Sequence, residues 1–224
     1  MVSINKYKVV AFDIDGTLYP NGAMYRATFG LVVRNLRLFR AYGRARRQVR
    51  REYPLTDLRQ RTTELTAQFA RWDIDETDRR IRRIVYEQWE QSLQSVRLFP
   101  GAKDLLLWLR QRGVLTVAMS DFPVTTKLKS FDLEDCWDLA FSSEEVGYLK
   151  PRPEPFLHIL EKVQHPAAEV LYVGNSYHYD ILGASAVGMA TAHITRGCRG
   201  SSAADFRFSR YDQLQAWLES RTPE

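Results

Sequence analysis

Two carboxylates lie close together at the end of an apolar segment near the start of the sequence. The segment VVAF leads directly into Asp13, and Asp15 follows two positions later, ahead of Gly16. Because the side chains of a strand alternate between its two faces, both carboxylates would start on the same side. Like charges at that spacing raise each other's pKa unless a cation or a shared proton relieves them. The pattern is therefore typical of a turn, a metal site or a proton-transfer site.

Further polar side chains follow other segments that have the composition of strands. The carboxyl ends of parallel strands meet at one edge of a sheet, and ligands bind there. We therefore expect this second group to gather around Asp13 and Asp15. The group consists of Ser120, Asp121, Lys150, Asn175 and Asp180.

The chemistry that suits this set is phosphoryl transfer through a covalent intermediate. An aspartate can attack phosphorus and carry the phosphoryl group, and a second acid can protonate the leaving oxygen and later activate water. Mg²⁺ favours carboxylates, carbonyls and water, and it would screen the crowded acids. A lysine and a serine hydroxyl would complete a clamp for the phosphoryl oxygens. We therefore expect a magnesium-dependent site for a small phosphorylated substrate.

The elements that must position these residues alternate between strands and helices. The predicted strands are residues 7–12, 114–119, 139–142, 170–173 and 190–194. The predicted helices between them are residues 102–111, 124–131, 154–163 and 179–187. Strands separated by helices of this length indicate a parallel sheet with crossover helices. The predicted fold class is α/β, with a Rossmann-like parallel sheet core flanked by helices and an all-helical cap domain.

The cap is predicted from residues 20–97, which show only the helical spacing of apolar residues. The remaining residues, 1–19 and 98–224, would form the α/β core. The cap holds 17 arginines, no lysine and nine acidic residues, so it carries a charge of +8 and the remainder −3. Such asymmetry indicates two units with different surfaces and an acidic ligand or partner for the cap.

Six arginines of the cap recur at steps of three and four, which would place them along one side of a helix. They are Arg34, Arg37, Arg40, Arg44, Arg47 and Arg51. One interpretation is a solvated face, and another is an electrostatic funnel that concentrates phosphorylated substrates. A third is a surface for an anionic partner, a protein or a membrane. Nucleic acid ranks last, because no recognisable nucleic-acid motif accompanies the arginines.

In their order along the chain, the polar segments resemble the four motifs of the haloacid dehalogenase-like (HAD) superfamily. The segments are DIDGTLY, the strand ending in Ser120, the Lys150-Pro151 run and the loop VGNSYHYDILGA. The resemblance covers about residues 7–17 and 98–195. It implies a cap between the first and second motifs that closes over the substrate. It also implies a phosphatase, because the dehalogenating members lack a second aspartate where this chain has Asp15.

The resemblance also implies roles for individual residues. The implied catalytic residues are Asp13 as nucleophile, Asp15 as general acid and base, Ser120 as phosphate-binding hydroxyl and Lys150 as charge-neutralising lysine. The implied substrate contacts are Gly16, Thr17, Ser120, Asp121 and Lys150. The implied Mg²⁺ ligands are Asp13, Asp15 through its backbone carbonyl, Asn175 and Asp180. Asn175 stands where many members have an aspartate, so we expect weaker metal affinity with activity retained.

Other functions and simpler structural roles stay open at this point. A phosphoglucomutase-like transfer shares the first chemical step, and a binding protein that kept the fold but lost the reaction would also fit Asn175 and the arginine-rich cap. Residues 13–17 could form only a turn, and Ser120 or Asp121 could cap the helix that follows. His178 is expected to be structural or solvated.

Composition and length exclude several classes of protein. The 224 residues, of which 45% are hydrophobic and 26% charged, are typical of a soluble globular chain with one core and a smaller second unit. No run approaches the ~18 apolar residues of a membrane span, and the start MVSINKYK lacks an apolar signal region. Cys136 and Cys198 have no metal-binding spacing, so we expect free thiols and a cytoplasmic location.

Overall fold

A sheet of six parallel strands lies at the centre of the computed structural model, which describes residues 6–52, 57–195 and 202–220. The strands are β1 (Val9–Phe12), β2 (Leu115–Ser120), β3 (Leu139–Ser142), β4 (Val170–Gly174), β5 (Ala190–Ile194) and β6 (Phe206–Phe208). Their order across the sheet is β3-β2-β1-β4-β5-β6, and all neighbouring strands are parallel. The predicted α/β fold is confirmed, and β1 lies between β2 and β4.

The predicted cap, residues 20–97, is helical over most of the part that the structure describes. Its helices are α1 (Asn21–Arg34), α2 (Leu36–Val49), α3 (Leu58–Ala70), α4 (Ile74–Arg80) and α5 (Trp89–Ser92), with a π-helical segment, Ile81–Gln88, between α4 and α5. Asp57 and Asp73 cap α3 and α4, because their carboxylates accept hydrogen bonds from backbone N–H groups of the first turn. The chain re-enters the core at Phe99, whose N–H donates to the carbonyl of Leu18 at 2.8 Å.

The helices of the core lie between the strands and after the last one. They are α6 (Ala102–Gln111), α7 (Thr125–Ser130), α8 (Pro153–Val163), α9 (Leu182–Ala186) and α10 (Tyr211–Glu219). Apolar clusters cover both faces of the sheet, one containing Val10 and Phe12 and the other Val9 and Ala11. Burial on both faces explains why β1 is a continuous apolar run.

The cap has small apolar clusters of its own, and they extend to the core. One cluster joins Leu38 and Tyr42 of α2 to the π-helical segment, and Phe122 of the core packs against it. A second cluster contains Val49 of α2 and Leu149, which precedes Lys150 in the chain. Helix α2 therefore takes part in both contacts between the cap and the loops after β2 and β3.

The six arginines do not lie on one helix, which corrects the sequence-based expectation. Helix α1 ends at Arg34, and α2 ends at Val49, before Arg51. Asn35 separates the two helices, and its side-chain amide donates to the carbonyl of Leu31 at 2.9 Å. The backbone N–H of Asn35 donates to the same carbonyl at 3.2 Å, so Asn35 closes the end of α1 with both groups. The regular spacing of the arginines continues in the sequence past the end of α1, so the spacing alone does not show that the helix ends there.

Two further observations concern sequence-based expectations. None of the helices in the described ranges combines the length and the apolar character needed to cross a bilayer. Cys136 is a buried free cysteine, whereas Cys198 lies outside the described residues.

Candidate active site

Asp13 lies directly after β1 and is buried, with 5% of its surface exposed. Its Oδ1 accepts a hydrogen bond from Nζ of Lys150 at 2.6 Å, and its Oδ2 accepts one from Oγ1 of Thr17 at 2.8 Å. Nζ of Lys150 also donates to Oδ1 of Asp180 at 2.7 Å and to the hydroxyl of Tyr172 at 3.3 Å. One buried ammonium group is therefore shared between two buried carboxylates.

The charges around Lys150 do not balance. The pKa of Asp13 is raised to about 7. Burial is the main cause, the carboxylates of Asp180 and Asp15 raise the pKa further, and Lys150 opposes them by lowering it. Burial also acts to lower the pKa of Lys150, but Asp13 and Asp180 hold that pKa well above its ordinary value. Two carboxylates against one ammonium leave an excess of negative charge at this edge of the sheet, and a bound cation would relieve it.

Asp15 has a different set of partners. Nζ of Lys127 donates to both of its carboxylate oxygens at 2.8 Å, and Oγ of Ser120 donates to Oδ2 at 2.7 Å. The hydroxyl of Tyr19 donates to Oδ1. Although burial raises the pKa of Asp15, Lys127 and these hydrogen bonds together lower it below its ordinary value. The two pKa values are therefore pushed apart, but in the sense opposite to the implied roles, in which Asp13 attacks as a carboxylate and Asp15 gives a proton.

The residues predicted as metal ligands line one pocket of about 410 Å³. They are Asp13, Asp15, Asn175 and Asp180. Among the described residues, no three His, Cys, Asp or Glu side chains form a cluster able to hold a metal ion. A cation would therefore depend on two carboxylates, the amide oxygen of Asn175 and the backbone carbonyl of Asp15. These are all hard oxygen donors, and together with the excess negative charge they fit a divalent cation such as Mg²⁺.

Two glycines leave room for the side chains of Asn175 and Asp180 beside Asp13. A Cβ atom at Gly174 would lie 2.6 Å from Oδ2 of Asp180, which accepts a hydrogen bond from the N–H of Ser176 at 2.9 Å. Gly16 has a φ of +89° and packs against the side-chain amide of Asn175. The sequence needs glycine at both positions to place Asp180 and Asn175 beside Asp13.

Two arginines of the cap that the sequence analysis did not single out reach this edge of the sheet. Arg50 donates to Oδ2 of Asp121 at 2.6 Å and to the carbonyl of Lys150 at 3.1 Å. Arg46, which is only 3% exposed, donates to the carbonyl of Asp121 at 2.5 Å and forms an ion pair with Glu144. Arg46 lies in the last turn of α2, and Arg50 directly follows the end of the helix, one helical turn later. The end of α2 is thus tied by charge to the loops after β2 and β3, two of the four that carry predicted site residues.

The exposed arginines of α2 lie on the other side of the helix. At 100° per residue, Arg37 and Arg44 lie roughly opposite Arg46. Their guanidinium groups stack over aromatic rings of the cap, Arg37 over Trp72 at 5.1 Å and Arg44 over Phe69 at 4.2 Å. The placement of these exposed arginines favours a solvated face over an electrostatic funnel that leads to Asp13. An anionic partner for this surface stays a prediction.

The structure brings most of the predicted residues together. Those that line the pocket are Asp13, Asp15, Asp121, Lys150, Asn175 and Asp180. Ser120 and Thr17 adjoin the pocket and donate to the carboxylates of Asp15 and Asp13, and Gly16 packs behind Asn175. Neither Ser120 nor Asp121 caps α7, which begins after Val124 without a side-chain cap. His178 is exposed and packs against the ring of Tyr179.

Lys127 and Tyr19 are the contacts of Asp15 that the sequence analysis missed. Tyr19 lies within the motif DIDGTLY, so its nearness to Asp15 was open to inference from the turn. Lys127 lies on α7 in the segment TTKLKS, where two lysines have similar surroundings in the sequence. Only the packing of α7 shows that Lys127 is buried and Lys129 is exposed.

Comparison with known proteins gives the same family as the motifs. The pattern of haloacid dehalogenase-like hydrolases matches residues 7–188. Phosphoglycolate phosphatase from Shigella dysenteriae is 27% identical over 214 residues, which cover 88% of this chain and 84% of that enzyme. Ribulose-1,5-bisphosphate 5-phosphatase from Halopiger xanaduensis is 35% identical over 106 residues, which cover 46% of this chain and only 44% of that enzyme.

Solved structures show the same fold. The 2-haloacid dehalogenase from Pseudomonas syringae pv. Tomato DC3000 superimposes with a TM-score of 0.69 at 22% identity, over 96% of this chain and 99% of that one. The phosphatase relatives and the matched pattern favour an enzyme over a binding protein that lost the reaction. The chain belongs to the haloacid dehalogenase-like hydrolase family, as an enzyme of the phosphatase type.

Proposed function

We propose that this enzyme hydrolyses a small phosphorylated metabolite, a sugar phosphate or a nucleotide, through an aspartyl-phosphate at Asp13 in a Mg²⁺-dependent reaction. The observation that supports this most is the position of Lys150 between Asp13 and Asp180, at 2.6 and 2.7 Å. The contact fixes the carboxylate of Asp13 in the pocket and leaves the negative charge that a divalent cation would relieve.

In the first step, a carboxylate oxygen of Asp13 forms a bond to phosphorus while the bond between phosphorus and the leaving oxygen breaks. Thr17 and Lys150 orient that carboxylate, and Lys150 also offsets charge on the phosphoryl oxygens. Asp15 gives a proton to the leaving oxygen, because an alkoxide is a poor leaving group. A phosphate group beside Asp15 raises its pKa by like-charge repulsion and so favours the protonated form that this step needs.

In the second step, water attacks the phosphorus of the aspartyl-phosphate, and the ionised Asp15 accepts a proton from that water. The bond between phosphorus and Asp13 breaks, so that inorganic phosphate leaves and the carboxylate is restored. Lys127 and Ser120 stabilise the ionised form of Asp15, which is the form that accepts this proton.

Asp13, Asp180, Asn175 and the backbone carbonyl of Asp15 would hold Mg²⁺, which stabilises negative charge on the phosphoryl oxygens when it is bound. Because Asn175 contributes no charge, Asn175→Asp is expected to lower the Mg²⁺ concentration that gives half-maximal activity. Gln91→Glu adds the same charge at an exposed position of the cap and serves as the control. An unchanged Mg²⁺ dependence in Asn175→Asp would contradict this part of the proposal.

The proposed function is tested by phosphate release from sugar phosphates, nucleoside monophosphates and an aryl phosphate, with Mg²⁺ or with chelator. We expect turnover that needs Mg²⁺, that Asp13→Asn abolishes and that the exposed control Asp135→Asn retains. Absence of turnover for every ester, or activity retained in Asp13→Asn, would overturn the proposal. Isomerised sugar phosphate in place of inorganic phosphate would favour a phosphoglucomutase-like transfer.

A further inference from the structure

A second cavity, of about 100 Å³, lies between the cap and the core. Its walls are mainly aromatic and aliphatic, and they include Phe39 of α2 and Val85 of the π-helical segment. Trp89 of α5 also lines the cavity, as do Phe122 and Pro123 of the core and the rings of Tyr42 and Tyr86. The rings of Phe39 and Trp89 pack against each other with centroids 5.6 Å apart. The cavity is therefore a built apolar space, formed jointly by both units.

The cavity adjoins the phosphoryl site, and two residues lie between the two spaces. Phe122 lines both this cavity and the pocket of Asp13. Lys127 lines the cavity and donates to both carboxylate oxygens of Asp15 at 2.8 Å. Because Asp15 is the group that protonates the leaving oxygen, the leaving group of the substrate must lie on its side of the phosphorus atom. The cavity begins on that side.

The backbone around the cavity has a rare conformation. Val85 belongs to the π-helical segment Ile81–Gln88, and Trp89 follows directly after it. A π-helical segment is uncommon and is found frequently at functional sites. Here the segment lies in the part of the cap that supplies the apolar wall, which is an observation independent of the cavity itself.

The charges at this interface do not suit a second anionic group on the substrate. Lys127 is already paired with Asp15, Arg46 with Glu144 and Arg50 with Asp121. Glu90 lines the cavity, and its carboxylate would repel a second anion. Phosphoglycolate carries such a second anion in its carboxylate, and no described cation that lines the cavity is left to pair with it.

We propose that the cavity receives the leaving group and selects phosphomonoesters of uncharged alcohols that carry an apolar ring. This inference rests on the proposed function, and it favours a leaving group that carries an apolar ring over the polyhydroxylated leaving group of a sugar phosphate. An apolar cavity of about 150 Å³ accepts benzene, so a cavity of about 100 Å³ has room for one small ring at most. Burying the ring removes apolar surface from water, which stabilises the complex.

The test compares kcat/KM for benzyl phosphate, ethyl phosphate and phosphoglycolate, which are all alkyl monoesters. We expect benzyl phosphate to exceed each of the others by about tenfold or more, the scale on which an apolar pocket discriminates. Equal values, or a preference for phosphoglycolate, would overturn the inference while leaving the proposed function intact. Absence of turnover for all monoesters would instead overturn the proposed function, and the inference with it.

Variants of the cavity give a second measurement. Val85→Phe fills the space and is expected to lower kcat/KM for benzyl phosphate by about tenfold while changing that for ethyl phosphate little. Val33→Phe makes the same change at an exposed position of α1 and is the matched control. Phe39→Leu, a milder change in the opposite wall, is expected to reduce the preference for benzyl phosphate if Val85→Phe fails to fold. An unchanged preference in either folded cavity variant would overturn the inference.

Discussion

Lys127 donates to both carboxylate oxygens of Asp15 at 2.8 Å from a side chain that is only 3% exposed. Asp15 therefore cannot rotate without breaking two charge-assisted hydrogen bonds, which are about twice as strong as bonds between neutral groups. Lys127 acts on the reaction through Asp15, and it is a positioning residue in the proposed mechanism.

Lys127→Met should consequently affect proton donation more than attack by Asp13. We expect kcat for alkyl phosphates to fall by about 10²-fold, the contribution typical of general acid catalysis. The fall should be much smaller for 4-nitrophenyl phosphate, whose leaving group needs little protonation. Lys129→Met, on the exposed side of the same helix, is the control and should retain kcat for both esters. Equal losses for the two esters would mean that Lys127 acts through the second step, in which Asp15 accepts a proton whatever the ester, or through the fold, and not through proton donation to the leaving group.

The ion pair between Arg46 and Glu144 joins the cap to the core, and both side chains are buried. Arg46→Met leaves the carboxylate of Glu144 without its cation, so we expect the free energy of unfolding to fall by about 3 kcal/mol. Removing both charges, in Arg46→Met combined with Glu144→Gln, should restore a large part of the loss. Arg47→Met, at the exposed next position, should change the free energy by less than about 0.5 kcal/mol.

Urea denaturation of the four proteins measures these differences. An Arg46→Met variant as stable as Arg47→Met would show that the pair contributes little, as exposed pairs do. The same comparison separates the arginines of α2 into those that hold the cap on the core and those that only face solvent.

Much of the fold could be predicted from the sequence because its strands are apolar runs bounded by glycine, proline and polar residues. The predicted helix 102–111 and the predicted strand 190–194 coincide with α6 and β5. Strand β6 was missed because it has only three residues, Phe206–Phe208, one of them an exposed arginine. A segment that short has too few alternations for a period to be detected.

The candidate site could be predicted where the topology alone brings residues together. Asp13 and Asp180 follow or adjoin neighbouring parallel strands, so any parallel pairing of β1 with β4 places them close. Arg46 and Lys127 could not be predicted in this way, because their roles depend on which face of α2 or α7 is packed inward. Arginines occur on several sides of α2, so the sequence does not show which of them face the core. Only the tertiary structure shows that Arg46 and Arg50 do.

Gly174 is the position where a methyl group should disturb the site most. A Cβ there would lie 2.6 Å from Oδ2 of Asp180, so Gly174→Ala must displace the carboxylate that shares Lys150 with Asp13. We expect the Mg²⁺ concentration for half-maximal activity to rise by about tenfold or more, the scale seen when an outer partner of a metal ligand is lost. Gly30→Ala is the control, because a Cβ there meets no atom within 4 Å. Similar Mg²⁺ dependence in both variants would contradict the role given to Asp180.

The raised pKa of Asp13 predicts how stability depends on pH in the absence of metal. Its ordinary value of 3.8 rises to about 7 on folding, so between these values the unfolded chain has lost a proton that the folded protein keeps. The contribution of Asp13 to the free energy of unfolding is therefore fully present below pH 3.8 and is lost as the pH rises to about 7. The loss amounts to at most about 1.4 kcal/mol for each pH unit.

Asp13→Asn removes this titration and makes the effect measurable. With chelator present, we expect the stability of the wild type relative to Asp13→Asn to fall as the pH is raised from 4 to 7, in urea denaturation at each pH. Mg²⁺ should raise the stability of the wild type near pH 7 and leave Asp13→Asn nearly unchanged, because the cation replaces the proton as the partner of the buried carboxylates. A difference in stability that stays constant with pH would mean that Asp13 is already ionised in the folded protein, and that Lys150 alone balances the charge of Asp13 and Asp180.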